Sequence, residues 1–281
     1  MDNDNIELSL DDIHDIEFDL LIKIKKICEK IGVKYYLAYG TLLGAARHQS
    51  FIPWDDDVDI WMLRDDYNKF FEYLKIHSQE LYPLSFCSRA ETKNYPYGIN
   101  RVTDMRYKYV DVETHYEADY GVFVDVYPLD KAGNTKDEYD RMYKNVEKLN
   151  FLWSTYIQAE SYSGNRIKAF VKHLINRALH ILVPDETVFY ERIESKIKKI
   201  LLKAPEQSSR LGVVVWWAYI HSYDKAHFEG STSLLINGES FNAPQNYKEI
   251  LETIYGDYMK LPPVEKRVSH HGYRIYKREQ P

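Results

Sequence analysis

Residues 53–60 read Pro-Trp-Asp-Asp-Asp-Val-Asp-Ile, four carboxylates within five positions of a segment that then turns apolar. If residues 57–62 form a strand, alternation puts Asp57, Asp59 and Trp61 on one face and Val58, Ile60 and Met62 on the other. The apolar face can pack on a core. The acidic face holds carboxylates in mutual repulsion, which calls for a compensating cation, and hard oxygen ligands suit Mg2+ or Mn2+. A solvated acidic turn is the competing reading. A Ca2+ loop would need Asp-x-Asp-x-Asp-Gly spacing with a distal Glu, and no Gly follows here.

What stands upstream ranks the metal reading first. Residues 35–48 read Tyr-Tyr-Leu-Ala-Tyr-Gly-Thr-Leu-Leu-Gly-Ala-Ala-Arg-His. The aromatic run predicts a strand, broken at Gly40, and Thr41 is expected to N-cap a short helix through Arg47. Such a junction aims backbone N–H groups at whatever sits above it, a natural seat for phosphate. Gly-Thr before a helix is weak by itself. Followed by Asp-Val-Asp at the next strand, it describes a phosphate cradle facing a divalent metal.

These blocks resemble the LicD family of phosphotransferases, built on a nucleotidyltransferase (polymerase-β-like) fold and related to fukutin-related protein. The general pattern, Gly-Ser/Thr and then Asp-hydrophobic-Asp/Glu-hydrophobic, falls on Gly40, Thr41, Asp57, Val58, Asp59 and Ile60. Residues 121–130, Gly-Val-Phe-Val-Asp-Val-Tyr-Pro-Leu-Asp, resemble the later strand that carries a third carboxylate, here Asp125. Residues 255–263 with Arg267 and His270 or His271 resemble the family's C-terminal end, while residues 131–220 match no motif.

The resemblance implies that Asp57, Asp59 and Asp125 hold Mg2+ (or Mn2+) and carry catalysis, with Asp125 also accepting the proton of an attacking hydroxyl. Gly40, Thr41, Arg47, His48 and Arg101 would bind phosphate. Arg101 sits where the family also shows Arg, and a guanidinium grips phosphate bidentately. Trp54, Asp55, Asp56, Arg267, His270 and His271 are candidate donor or acceptor contacts. Each has a plainer alternative. Asp125 can be a buried acid satisfied by an arginine, and either arginine can serve the acidic cluster. The histidines can be exposed, and Asp55 and Asp56 can be structural; Asp130 is read as a turn cap. Trp54, Trp61, Trp216 and Trp217 are core by default, though one or two, with tyrosines, could box a quaternary ammonium.

The activity implied is transfer of a substituted phosphate, phosphocholine from CDP-choline first, to a hydroxyl of a cell-surface glycan or teichoic-acid-type precursor, with release of CMP. The acceptor precursor is expected to be lipid-linked. CDP-glycerol, CDP-ribitol or another CDP-alcohol is the alternative donor. A true nucleotidyltransferase using an NTP would need the same motif geometry. A catalytically dead binding module would need a lost carboxylate, and all three are present.

The 281 residues, 44% hydrophobic and 28% charged, suffice for one large domain or two small ones. Two cysteines, Cys28 and Cys87, argue against a disulfide or zinc framework. The first residues lack both halves of a signal peptide, and the longest apolar run, 213–220, is far short of the ~20 residues a membrane helix needs. A net charge of −6 disfavours non-specific nucleic-acid binding. A cytoplasmic protein, able to work at the inner face of the membrane, is expected. Residues 166–180 set Lys168, Lys172, His173 and Arg177 beside apolar positions. Contact with anionic lipid ranks there behind a solvated helix face.

Along the chain, Ser9 and Asp12 suggest a capping box, and Ile13, Ile16, Leu20, Ile24 and Ile27 trace a helical stripe ending near Gly32. Asp65 and Asp66 open a helix with Tyr67, Phe70, Phe71 and Leu74 inward. Strands are predicted over 84–88, 107–112 and 122–127, the last stopped by Pro128. Helices are predicted over 137–160, 166–182, 187–203 and 248–254, while 213–219 reads as strand or helix. The fold class is α/β (α+β). A nucleotidyltransferase-like mixed sheet with flanking helices, residues 1–130, forms the catalytic core. A mostly helical region, 131–281, packs on that core and completes the site.

Overall fold

The structure, a computed structural model, describes residues 7–111, 118–158, 166–215, 221–268 and 272–278. In chain order the first half runs α1 Leu10–Ile31, β1 Tyr36–Leu37, α2 Tyr39–His48, β2 Asp59–Leu63, α3 Arg64–Ile76, α4 Ser78–Leu81, β3 Leu84–Cys87, β4 Asn100–Asp104, β5 Tyr107–Asp111 and β6 Val122–Lys131. The second half continues α5 Lys136–Ile157, α6 Arg166–Leu182, α7 Glu186–Leu201, β7 Arg210–Gly212, β8 Ser222–Asp224, β9 Ser231–Ile236, β10 Glu239–Pro244, α8 Tyr247–Tyr255 and β11 Tyr273–Lys277. This is a mixed α+β fold, as expected. The second half adds short strands to its helices: β9 and β10 pair as a hairpin, and β11 pairs with β5.

The main sheet orders its strands β1-β2-β6-β4-β3, with β7 and β8 extending the far end of β6. β2 and β6 run parallel, and the other pairs along that path are antiparallel. Apolar residues of the central strands, Ile60, Met62, Val102, Val124 and Val126, are sealed from solvent. They supply the burial that makes a sheet of short strands stable.

Local signals set most element ends. Ser9 and Asp12 form the expected capping box on α1, Thr135 and Glu138 form another on α5, and Gly32 closes α1 at φ +67. Each N-cap is worth about 1 kcal/mol. α3 buries Tyr67, Phe70, Phe71 and Leu74 as predicted. On α1 the inward stripe holds Glu17 where the pattern suggested Ile16, which is only half-buried.

Four local expectations are corrected. α2 starts at Tyr39 with Ala38 in the capping position, so Gly40 does not break the element and Thr41 lies inside the first turn. β2 starts at Asp59, leaving Asp57 just before it. Pro128 does not stop β6, which pairs with β2 through Leu129. The Asp125 N–H donates to the Val58 carbonyl on the β2 side, so by alternation position 128 faces the β4 side. There β4 has already ended opposite Val126, and a missing N–H costs no ladder bond. Asp130 is no turn cap: it lies in β6 and takes two hydrogen bonds from Arg64, at 2.7 and 2.8 Å. Of residues 213–219, positions 213–215 lie in no strand or helix, and 216–220 fall outside the described residues.

Candidate active site

Strand register assembles the acidic centre. Asp59 of β2 lies directly opposite Asp125 of β6, and Asp125 directly opposite Arg101 of β4. Three neighbouring strands therefore place Asp59, Asp125 and Arg101 in one row on one face. Asp57, just upstream, reaches the same spot. One carboxylate oxygen from each of Asp57, Asp59 and Asp125 lies within 4.8 Å of the other two, and Asp55, Asp56 and Asp57 form a second such group.

The first turn of α2 is bolted to this row. The Asp59 N–H donates to Thr41 Oγ1 at 2.8 Å, and the Ala38 N–H to the Asp59 carbonyl at 3.0 Å. Tyr39 takes a left-handed φ of 39° at the helix start, a conformation that costs a non-glycine residue about 1–3 kcal/mol. Its ring is pinned edge-on against Trp61 and Tyr127. The Asp55 carboxylate packs directly over Gly40, where an added Cβ would have to displace it. A carboxylate at a helix N-terminus is favourably placed, so Asp55 holds the position expected for phosphate.

Arg101 is committed to Asp125. Its Nε donates to Asp125 Oδ1 at 2.6 Å and its Nη1 to the Tyr120 hydroxyl at 2.8 Å. The guanidinium stacks between Tyr97 and Phe123, 3.9 and 3.8 Å from the ring centres. Both partners are buried. This is the arginine-satisfied acid that the sequence left open.

Arg47 and His48 sit at the other end of α2. Arg47 donates to His48 Nε2 at 3.0 Å and to the Tyr258 carbonyl at 3.0 Å. The acceptor role of Nε2 fits a His48 pKa lowered by burial and then by the Arg47 charge. Arg267 lies over Trp54, 5.6 Å from its ring centre, with His48 edge-on to the same ring. Arg267 and Asp55 are near enough to Arg47 to act on it electrostatically. Neither arginine has an ion-pair partner within 4.0 Å among the described residues. Trp61 is enclosed in the core and is no part of an open aromatic box. His270, His271, Trp216 and Trp217 lie outside the described residues.

The sequence missed five side chains at this centre. Glu17 of α1 is sealed from solvent with Oε2 unpartnered. Burial, then Asp57, Asp56, Asp55 and Asp125, push its carboxyl far above the ordinary range. Tyr273 of β11 donates its hydroxyl to the Asp56 carbonyl, while His14 of α1 holds the Asp55 carbonyl at 2.6 Å. The Tyr255 hydroxyl is raised by burial and by Asp59, Asp55 and Asp57, and Tyr127 hydrogen-bonds to Asp59. Tyr127 and Tyr255 stand inside the blocks 121–130 and 255–263 that carry the resemblance, and Glu17 left a signal of its own: an acid one helical turn from Ile13 and from Leu20 and Leu21, on the face that must be buried.

Electrostatically the centre is overloaded. Asp59 is sealed from solvent with Oδ1 unpartnered. Burial and the Asp57, Asp125 and Asp55 carboxylates drive its pKa well upward, against the lowering bond from Tyr127. Two buried orphan carboxylate oxygens among six acids, with one arginine engaged, make a donor set suited to a hard cation. A separate cleft of about 920 Å3 opens at the far ends of β2 and β6, beside Arg64, Asp130 and Arg89. No carboxylate of the acidic centre lines it.

The mixed sheet thus aligns carboxylates from two parallel neighbours beside a strand–helix junction. Residues 32–155 match the model of the LicD/FKTN/FKRP nucleotidyltransferase domain, and the chain carries a LicD-family domain. Over 254 residues it is 26% identical to the lipopolysaccharide cholinephosphotransferase LicD of Haemophilus influenzae, covering 89% of this chain and 91% of that protein. A 40-residue stretch, 14% of this chain and 8% of the other, is 52% identical to the human ribitol 5-phosphate transferase FKRP. A third match, 38% identical over 66 residues, is to an uncharacterised Rickettsia prowazekii protein, covering 24% of this chain and 22% of that one.

Proposed function

We propose that this chain transfers a substituted phosphate from a CDP-activated alcohol to a hydroxyl of a glycan or teichoic-acid-type precursor. CDP-choline is the favoured donor and CDP-glycerol or CDP-ribitol the alternative. The observation that carries this reading is the convergence of Asp57, Asp59 and Asp125, with a buried orphan oxygen on Asp59. Two relatives whose names specify cholinephosphate and ribitol-phosphate transfer support the reaction class.

Asp57, Asp59 and Asp125 would hold Mg2+, or Mn2+, which neutralises charge developing on a diphosphate. Arg47 and Arg267, cations beside the acidic centre, would take the outer diphosphate oxygens. The start of α2 would take the inner ones, at the place Asp55 holds over Gly40. The acceptor oxygen bonds to the phosphorus that bears the alcohol and its proton passes to Asp125. The diphosphate bridge breaks and CMP leaves. Arg101 orients Asp125 and is not free for the donor. With Trp54 covered by Arg267 and Trp61 in the core, the preference for choline rests on the relative alone.

A panel of CDP-alcohols with Mg2+ tests the reading through CMP release, with CTP as the competing substrate. CMP from one or more CDP-alcohols supports it; pyrophosphate from CTP alone replaces it with nucleotidyl transfer. Efficient use of CDP-glycerol or CDP-ribitol, but not CDP-choline, keeps the reaction class and changes the donor.

A further inference from the structure

α6 (Arg166–Leu182) presents a continuous row of exposed apolar side chains. Of its side chains from 167 to 182, only Asn176 is buried. It ties the helix down by donating to the Thr155 and Tyr156 carbonyls at 2.8 and 3.0 Å, and His180 stacks on Tyr156. On the opposite side Ile167, Phe170, Val171, Leu174, Ile181 and Leu182 are all exposed, Phe170 by 63% and Ile181 by 80%. At 100° per residue these positions span an arc of roughly 120°. A soluble chain seldom leaves so continuous an apolar stripe in water.

The charge pattern says what covers it. The same wheel puts Lys168 at one edge of the stripe and Arg177 at the other, with Lys172 and His180 on the tethered side. No acid occurs between 166 and 182, in a chain whose net charge is −6. A second copy would bring the same cations face to face, which argues against self-association. An apolar stripe edged by cations suits the boundary between anionic headgroups and acyl chains. Among the described residues no helix is long and apolar enough to cross a membrane, so α6 would lie along the surface.

We infer that α6 docks the protein on an anionic bilayer, sinking Phe170, Leu174 and Ile181 into the headgroup boundary with Lys168 and Arg177 on phosphate groups. Binding needs no nucleotide, so it stands or falls independently of the proposed reaction. The test is flotation of the full chain with vesicles of phosphatidylcholine alone, or mixed with phosphatidylglycerol. The protein should float with the mixed vesicles, lose most of that binding in high salt, and ignore pure phosphatidylcholine. Phe170→Ser with Leu174→Ser should weaken binding by roughly tenfold or more, with an unchanged thermal melt because both side chains are exposed. Lys168→Glu with Arg177→Glu should erase the preference for phosphatidylglycerol. Failure to float with either vesicle, or flotation indifferent to both pairs of substitutions, overturns the inference. So does a dimer in sedimentation that the Ser variants dissociate without any lipid binding, since the stripe would then be a protein interface.

Discussion

Asp59 combines full burial, an unpartnered oxygen and three neighbouring carboxylates, so its charge is tolerable only beside a cation. Asp59→Asn keeps the volume and removes the charge. The variant is expected to fold, to lose turnover almost completely, and to lose Mg2+-dependent donor binding; near-normal turnover would end its assignment as a ligand. Asp57 and Asp125 separate more finely. A ligand need only reach the metal, whereas a base must also reach the attacking hydroxyl. Asp125→Asn, with its side chain still held by the Arg101 row, should lose transfer by several orders of magnitude yet bind donor with Mg2+, and Asp57→Asn should lose both. Calorimetric titration decides it. If Asp125→Asn binds donor as poorly as Asp57→Asn, Asp125 is a ligand and the proton goes elsewhere.

The row formed by β2, β6 and β4 has its own energetics. Arg101 is the only counter-charge hydrogen-bonded to Asp125 among the described residues. Removing one member of a buried pair costs about 3–5 kcal/mol, because the other charge stays behind. Arg101→Met should therefore lower unfolding stability in urea by about that much, and Arg101→Met with Asp125→Asn should recover part of it. Additive losses would show the two to be uncoupled. The sequence made β2, β6 and the acid pattern legible because alternation and an Asp in an apolar strand are local signals. It could not show that Arg101 lies opposite Asp125, since register between strands joined through β5 is settled by tertiary packing. Nor could it place Pro128 inside β6, which depends on where the neighbouring strand stops. Glu17 is half-visible: the helical stripe is legible in the apolar spacing, but an acid beside it carries no local mark of burial. Tyr273 arrives at the site from a strand more than a hundred residues downstream of Asp125, and nothing local announces it; Tyr255 opens the block 255–263 that carries the resemblance, but its approach to the aspartates is set by tertiary packing.

Across the molecule, Glu17 and Asp59 share one consequence for pH. Their folded-state pKa values are raised above unfolded values of about 4, so the folded protein retains protons that the unfolded chain releases. Their stabilising contribution is complete below that value and is lost as pH rises toward the raised folded pKa. The slope is up to about 1.4 kcal/mol per pH unit for each group. Metal-free protein should therefore lose thermal stability from mildly acid toward neutral pH, and Mg2+ should restore it at neutral pH. Glu17→Gln should flatten the metal-free slope. A melting temperature that rises over that range without metal, or ignores Mg2+ at neutral pH, would contradict the picture. The pairing of β11 with β5 and the hold of Tyr273 on Asp56 also impose an order in time. A ribosome delivers Glu17, Asp59 and Asp125 long before residue 273. The acidic centre is thus among the last parts of the molecule to be finished as the chain is made, and a nascent chain paused after β6 carries the aspartate motifs without the strand that closes over them.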